Sequence, residues 1–362
     1  SDRKALIALL KKEMQQLIKQ FGDERRTIID VEGQASAPIK EVARLHELES
    51  LAIAFTRSGA FKALPADTFT PKGKNGAAAY TPVRGDEQLR QVVATTSHDN
   101  LLCVSSTGRV FQIAAHRIPQ GIRSSKGEPA RKLLELAPGE EVVTILPIDA
   151  YDEDRYLVTF SKLGKVKKSP LSEYRTADVD GLQDMKLADG DSVVTALISR
   201  GQGEYFVTTD NAQTLRFSDE ALRAQGRVGQ GVVAIALAQG AKVVSASYLD
   251  SDLQNTINNP LSLLVITESG LAKKVPLSQY PPKGRATAGV VTTELVAKDR
   301  VLTTMILNEH DHLLLIWNGE DGEQVTAIKA SELKVFLRAR KGVPVVGGKV
   351  AGVVKIGNGV KA

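Results

Sequence analysis

The chain has 362 residues, 42% hydrophobic and 25% charged, with a formal charge of +5, values ordinary for a globular protein with a real core. No apolar run is long enough to cross a bilayer, and the start SDRKALIALLKKEMQQ threads charges through its apolar positions, unlike a signal peptide. A single cysteine, Cys103, excludes an internal disulfide and a thiolate metal cluster and fits a reducing compartment, while the small positive excess means that polyanion binding would need local clustering of Lys and Arg.

Residues 2–26 read as a helix, because Leu6, Ile7, Leu10, Met14, Leu17, Ile18 and Phe21 recur at spacings of three and four and form one apolar stripe. Gly22 and the polar run DERRT then lead into Ile28 and Ile29, a change to extended chain. A lone amphipathic helix of this kind needs a partner surface.

From about residue 50 the helical period is lost. The runs LAIAFT, NLLCVSS, RYLVTFS, EYFVTT, SLLVITE and HLLLIWN each read as a strand, followed by a turn and a second strand. The turn anchors are Gly59, Gly108, Gly164, Ala212, Gly270 and Gly322, with Gly319 an alternative for the last, and they stand 48 to 58 residues apart. A second set, Gly76, Gly127, Gly181, Gly231, Gly289 and Gly342, follows the anchors at a distance of 17 to 20 residues. Six units of several strands predict an all-β, six-bladed propeller, since one blade cannot bury both its faces alone.

The stretches before the second glycines are TPKGKNG, GIRSSKG, EYRTADVDG, AQGRVGQG, PPKGRATAG and RARKG. Glycine lets a main chain approach a phosphate backbone and Lys or Arg neutralises its charge, so recurrence of such loops predicts a basic belt on one rim. The candidate DNA contacts are Lys72, Gly73, Lys74 and Gly76; Arg123 and Lys126; Arg175, offset by Asp178 and Asp180; Arg227; Lys283 and Arg285; and Arg340 and Lys341. No catalytic or metal-ligating set is expected. Tyr156 reads as a strand residue in RYLVTFS, the five histidines lack ligand company, and the glycines and lysine of Gly342–Lys349 are wrongly spaced for a nucleotide loop. Cys103 and Trp317 read as core, and the aromatics do not interleave with the basic loops, which argues against single-strand stacking.

These residues resemble the C-terminal region of the A subunits of bacterial type IIA topoisomerases. KKEMQQLIKQFGDERRTII is similar to the end of the family's breakage-reunion region. SHDNLLCVSSTGRVFQIAAHRIPQGIRSSKGEPARKLLELAPGEEV is similar to its second blade, and KLGKVKKSPLSEYRTADVDG, AQGRVGQGVVAIAL and SGLAKKVPLSQYPPKGRATAGVV to the next three. The resemblance implies a β-pinwheel over residues 35–362, whose blades exchange strands, preceded by a helix and linker over 1–34. It implies non-specific binding and bending of double-stranded DNA, which is presented to a cleavage gate held elsewhere. The implied partners are the B subunit, with the remainder of the A subunit, in an A2B2 enzyme of the bacterial cytoplasm, with no membrane association. This chain would hold no cofactor, whereas the parent enzyme would use ATP and Mg2+ in other domains.

The family's first-blade signature is Gln-Arg-Arg-Gly-Gly-Lys-Gly. Here the loop is Thr70-Pro71-Lys72-Gly73-Lys74-Asn75-Gly76, so the opening Gln-Arg is lost and Lys74 carries its charge one position early. That departure leaves both a gyrase role and a topoisomerase IV role open. A propeller used as a protein-interaction scaffold is the alternative of another class, and its mark would be an exposed apolar patch on the rim.

Overall fold

Six β-hairpins form where the apolar runs meet the turn anchors. They are β1 (Ser50–Thr56) with β2 (Ala60–Pro65), β4 (Asn100–Ser105) with β5 (Arg109–Ala114), and β8 (Tyr156–Ser161) with β9 (Lys165–Pro170). β12 (Gly203–Thr209) with β13 (Gln213–Ser218), β16 (Ser262–Thr267) with β17 (Leu271–Pro276), and β20 (His312–Gly319) with β21 (Gly322–Lys329) complete the set. The computed structural model describes residues 7, 11–16, 19, 47–69, 88–122, 125–252, 261–320 and 322–356. Chain contacts divide the protein into Ser1–Ala37 and Pro38–Ala362. In the first unit the described residues are helical and exposed, Ile7 and Met14 among them.

The anchors work as the sequence suggested. Gly59, Gly108, Gly164 and Gly270 have φ of 80, 80, 83 and 86°, the left-handed region that ends a three-residue hairpin loop, and Ala212 holds the same conformation at 64°. A hydroxyl at the end of each first strand secures the turn. Thr56, Ser105, Ser161, Thr209 and Thr267 accept the N–H of Ala60, Arg109, Lys165, Gln213 and Leu271 at 3.0–3.3 Å. The sixth hairpin lacks this hydroxyl, and Gly319 pairs directly with Gly322 across its turn.

Each hairpin gains a strand at its inner side: β3 (Leu89–Thr96), β7 (Val142–Ile148), β11 (Val193–Ser199), β15 (Val243–Asp250), β19 (Val301–Leu307) and β23 (Lys349–Ile356). Five sheets gain a fourth strand of two residues that comes from the next unit of the chain. β6 (Glu128–Pro129) pairs with β2, β10 (Leu182–Gln183) with β5, β14 (Val232–Val233) with β9, β18 (Val290–Val291) with β13 and β22 (Val343–Pro344) with β17. Strand exchange of the kind implied by the resemblance is therefore built into the hydrogen bonding. The sixth sheet has three strands among the described residues, in the order β21-β20-β23.

The first strand of each hairpin carries consecutive buried residues and so is covered on both faces, which is why these strands read as unbroken apolar runs. On β4, Leu101 and Cys103 join the core between the first and second sheets, while Leu102 and Val104 join the core between the second and third. On β16, Leu263 and Val265 face the fourth sheet, and Leu264 and Ile266 face the sixth. The inner strands pack in sequence, and the ring closes with β23 against β3. There Ala52, Ala54 and Leu89 of the first sheet meet Leu314, Ile316, Val354 and Ile356 of the sixth. Arg57 of the first blade donates to the Ala351 carbonyl of the last at 2.7 Å. A fourfold hydroxyl chain, Thr214–Thr208–Thr304–Ser245, joins the fourth and fifth sheets at 2.8–2.9 Å. The second unit is a closed six-bladed propeller.

Candidate nucleic-acid interface

The inner strands occupy the centre, so the two-residue exchanged strands mark the perimeter. Each described basic loop runs directly into one of them. After the second strand of its own blade the chain makes a short 3-10 turn, such as Leu277–Gln279, then crosses to the preceding blade. Anchoring is repeated. Gly121 N–H donates to the Ala63 carbonyl, Gln225 N–H to Lys168, Lys283 N–H to Arg216 and Phe336 N–H to Lys274, at 2.8–2.9 Å. The third unit reverses the polarity, with Gln112 N–H donating to the Asp178 carbonyl. Each loop therefore stands at the same station on successive blades, laid over the outer edge of its neighbour.

Glycine is needed where the loop reaches that edge. A Cβ on Gly231 would lie 2.5 Å from the Val166 carbonyl oxygen and one on Gly289 2.6 Å from that of Thr214, in addition to their left-handed φ. Three residues earlier, Val228 and Ala286 take φ of 66 and 61°, a conformation that costs an L-residue on the order of 1 kcal/mol. Their N–H groups donate to Asp184 and Ala234 at 2.7 Å, just beyond the preceding exchanged strand. Successive loops thus hold one another.

The candidate residues fall into three groups. Lys126, Arg340 and Lys341 are exposed, and among the described residues no hydrogen bond or ion pair engages their side chains. Arg175, Arg227 and Lys283 are exposed but locally tied. Arg175 donates to the Tyr151 carbonyl at 3.2 Å and Lys283 to the Gly289 carbonyl at 3.0 Å, and Arg227 Nε lies 3.7 Å from Glu173 Oε2. Arg285 is a cross-blade staple. Its Nε donates to Ala221 O at 3.2 Å and its Nη1 to Val233 O at 3.1 Å. Lys72, Gly73, Lys74, Gly76 and Arg123 lie outside the described residues. The exposed Asp178 and Asp180 accompany Arg175 in its loop, as the sequence indicated.

Three residues were missed from sequence. Arg338 repeats the staple of Arg285, donating to Val291 O at 3.1 Å. Both stand four residues before the second glycine of their unit, as do Arg227 and Arg123, and that register was the signal available. Glu173 holds Arg227 by its main-chain N–H at 2.9 Å as well as by its side chain. Lys273 is fully buried beneath the last loop.

The residues set aside as non-catalytic have structural surroundings. Tyr156 begins β8, and the Lys168 ammonium sits 4.4 Å from its ring centroid. Cys103 is wholly buried, which pushes its thiol well above the ordinary range. Trp317 packs partly buried against the last core and donates to Thr326 Oγ1 at 2.9 Å. Among the described residues no group of three His, Cys, Asp or Glu side chains could hold a metal ion, and no helix is long and apolar enough to cross a membrane. Apolar side chains are also exposed on the loops: Ile122, Val228, Val335 and Leu337, at 55–70%.

A family model described as DNA gyrase C-terminal domain, beta-propeller, matches residues 99–149, 155–200, 203–250 and 262–308. The DNA gyrase A subunit of Haemophilus influenzae is 27% identical over 368 residues, covering 96% of this chain and 41% of that protein. Its counterpart in Staphylococcus epidermidis is 29% identical over 323 residues, covering 88% of this chain and 35% of that protein. The chain spans about two fifths or less of these relatives. Among solved structures, the C-terminal domain of DNA topoisomerase IV superposes with a TM-score of 0.69 at 22% identity, covering 86% of this chain and 94% of that one. The DNA gyrase A C-terminal domain gives a TM-score of 0.67 at 20% identity, covering 85% and 100%.

Proposed function

The chain belongs to the DNA gyrase C-terminal β-propeller family, and on that premise we propose that its perimeter binds duplex DNA without sequence preference and bends it around the blades. The carrying observation is the recurrence of one loop, at one station on successive outer strands, presenting Lys126, Arg175, Arg227, Lys283, Arg340 and Lys341 to solvent. Cations spaced along a curved edge match a phosphate backbone and need no base contact. Bending a site of 20–30 base pairs costs about 1–6 kcal/mol, which summed phosphate contacts offset. Arg285 and Arg338 act mainly through the loops they hold.

The domain would act within a larger gyrase-type A polypeptide, together with B subunits, in an A2B2 type IIA topoisomerase of the bacterial cytoplasm. It would carry a bent segment toward the cleavage gate and leave strand breakage, ATP and Mg2+ to other domains. A gyrase role requires chiral wrapping and a topoisomerase IV role requires selection of substrate geometry. The topology of DNA bound to the domain, read after relaxation by a separate topoisomerase, separates the two. A second reading, a protein contact on the same rim, is favoured by the exposed Ile122, Val335 and Leu337. Replacing those three with Asn and measuring duplex affinity tests it against the first: unchanged affinity leaves the apolar residues to a protein partner.

A further inference from the structure

The strongest unexplained group in the molecule is a buried ammonium. Lys273 lies on β17 with no solvent exposure, and its Nζ donates to the carbonyls of Leu337 at 3.0 Å, of Arg338 and of Arg340. Among the described residues no carboxylate pairs with it. The charge is balanced by main-chain dipoles alone, an expensive arrangement that persists only where it is well hydrogen-bonded. Burial accordingly lowers the ammonium's pKa to about 8.

A core position does not require this. At the same register of the second strand, the second and fourth blades carry Phe111 and Leu215, both fully buried. The third carries Lys167, which pairs with Asp184 at 2.7 Å. Lys62 of the first blade donates to the Ser125 carbonyl of the loop laid over it, so lysine stands at this register in three blades, and in two of them it holds loop carbonyls.

We propose that Lys273 is the positioning residue of the last basic loop, gathering three of its carbonyls so that Arg340 and Lys341 are held outward on the perimeter. The loop closes on itself through Arg340 N–H to Leu337 O at 3.1 Å, which turns the carbonyls of 337, 338 and 340 to one donor. Two lesser holds act with it. Thr293 Oγ1 donates to Arg340 O at 3.2 Å, and Gln279 Oε1 accepts Arg338 N–H at 2.7 Å. A loop fixed before binding loses little freedom on meeting a phosphate, and the buried positive charge beneath adds to its potential. The role of this loop in DNA binding rests on the function proposed above, whereas its dependence on Lys273 does not.

The test uses the whole chain carrying Lys273→Met, which keeps length and removes the donor. Trypsin cuts after Arg and Lys, so a released loop is cleaved at 338, 340 or 341. Cleavage there should accelerate by about tenfold or more while other sites keep their rates. Duplex affinity should fall, and Arg340→Gln with Lys341→Gln should have little further effect in the Lys273→Met background. Unchanged trypsin cleavage at the loop, or additive effects on binding, overturns the proposal. Failure of the wild-type chain to bind DNA would sink the proposed function and leave the trypsin result to decide on Lys273. If Lys273→Met does not fold, Lys273→Leu, which places there the residue that the fourth blade buries at this register, takes its place, and unaltered loop cleavage in it is equally fatal.

Discussion

Glu173→Gln should make the protein bind DNA more tightly. Glu173 Oε2 accepts the Arg227 main-chain N–H at 2.9 Å and stands 3.7 Å from Arg227 Nε. The amide oxygen of Gln can keep the first contact and so preserve the loop, while the charge that occupies the guanidinium disappears. The two side chains are 34% and 37% exposed, so the pair is well screened. Two unit charges about 4 Å apart are worth roughly 1 kcal/mol in water, at the upper end for an exposed pair. Releasing Arg227 to a phosphate is therefore worth about 1 kcal/mol, a tightening of roughly fivefold at low salt. One further phosphate contact also steepens the slope of log affinity against log salt by about 0.9. Fluorescence anisotropy with a labelled duplex, titrated at several salt concentrations, reads both quantities. Unchanged or weakened binding, with thermal stability intact, would refute the assignment of Arg227 to the backbone.

Three other outcomes are expected. Leu314→Ala, at the seam between the first and last blades, should cost about 2–5 kcal/mol in denaturant unfolding, and a loss under about 1 would mean the seam is not packed. Burial of Glu140 opposes its ionisation but is outweighed by hydrogen bonds from Ser105, Thr107 and the Ala137 N–H and by Arg109, so its pKa is lowered. A depressed folded-state pKa gives stability that is present above the unfolded value and lost as pH falls through the folded one, so Glu140→Gln should flatten the acid limb of the unfolding curve. Rebuilding the family signature with Thr70→Gln, Pro71→Arg, Lys72→Arg, Lys74→Gly and Asn75→Lys should trap more writhe per bound domain than the native loop, measured as a topoisomer shift after relaxation. Strong positive writhe in the native chain that survives Lys72→Ala with Lys74→Ala would contradict this.

The hairpins were readable because burial on both faces turns a strand into a continuous apolar run, and because the left-handed turn residue is glycine in all units but one. The exchanged strands were not readable from periodicity. Two residues such as Leu182–Gln183 carry no pattern, and their pairing with the preceding blade is a long-range event. Closure of the ring was equally hidden, since Val354 and Ile356 look like any strand end until Ala52 and Ala54 are seen opposite them. In the site, charge and glycine located the loops but not the aim of each side chain. Arg285 and Arg340 look alike in sequence, yet one ties two blades together and the other is exposed. Lys273 was indistinguishable from a rim lysine in LAKKV because nothing local shows which face of a strand a covering loop will bury.

Whether the perimeter is a backbone-binding surface is measured most directly by the salt dependence of duplex binding. With roughly 6–10 phosphate contacts, affinity should fall about 10³- to 10⁵-fold between 50 and 200 mM salt, nearly alike for duplexes of unrelated sequence. Affinity that is insensitive to salt, or confined to one sequence, would contradict it.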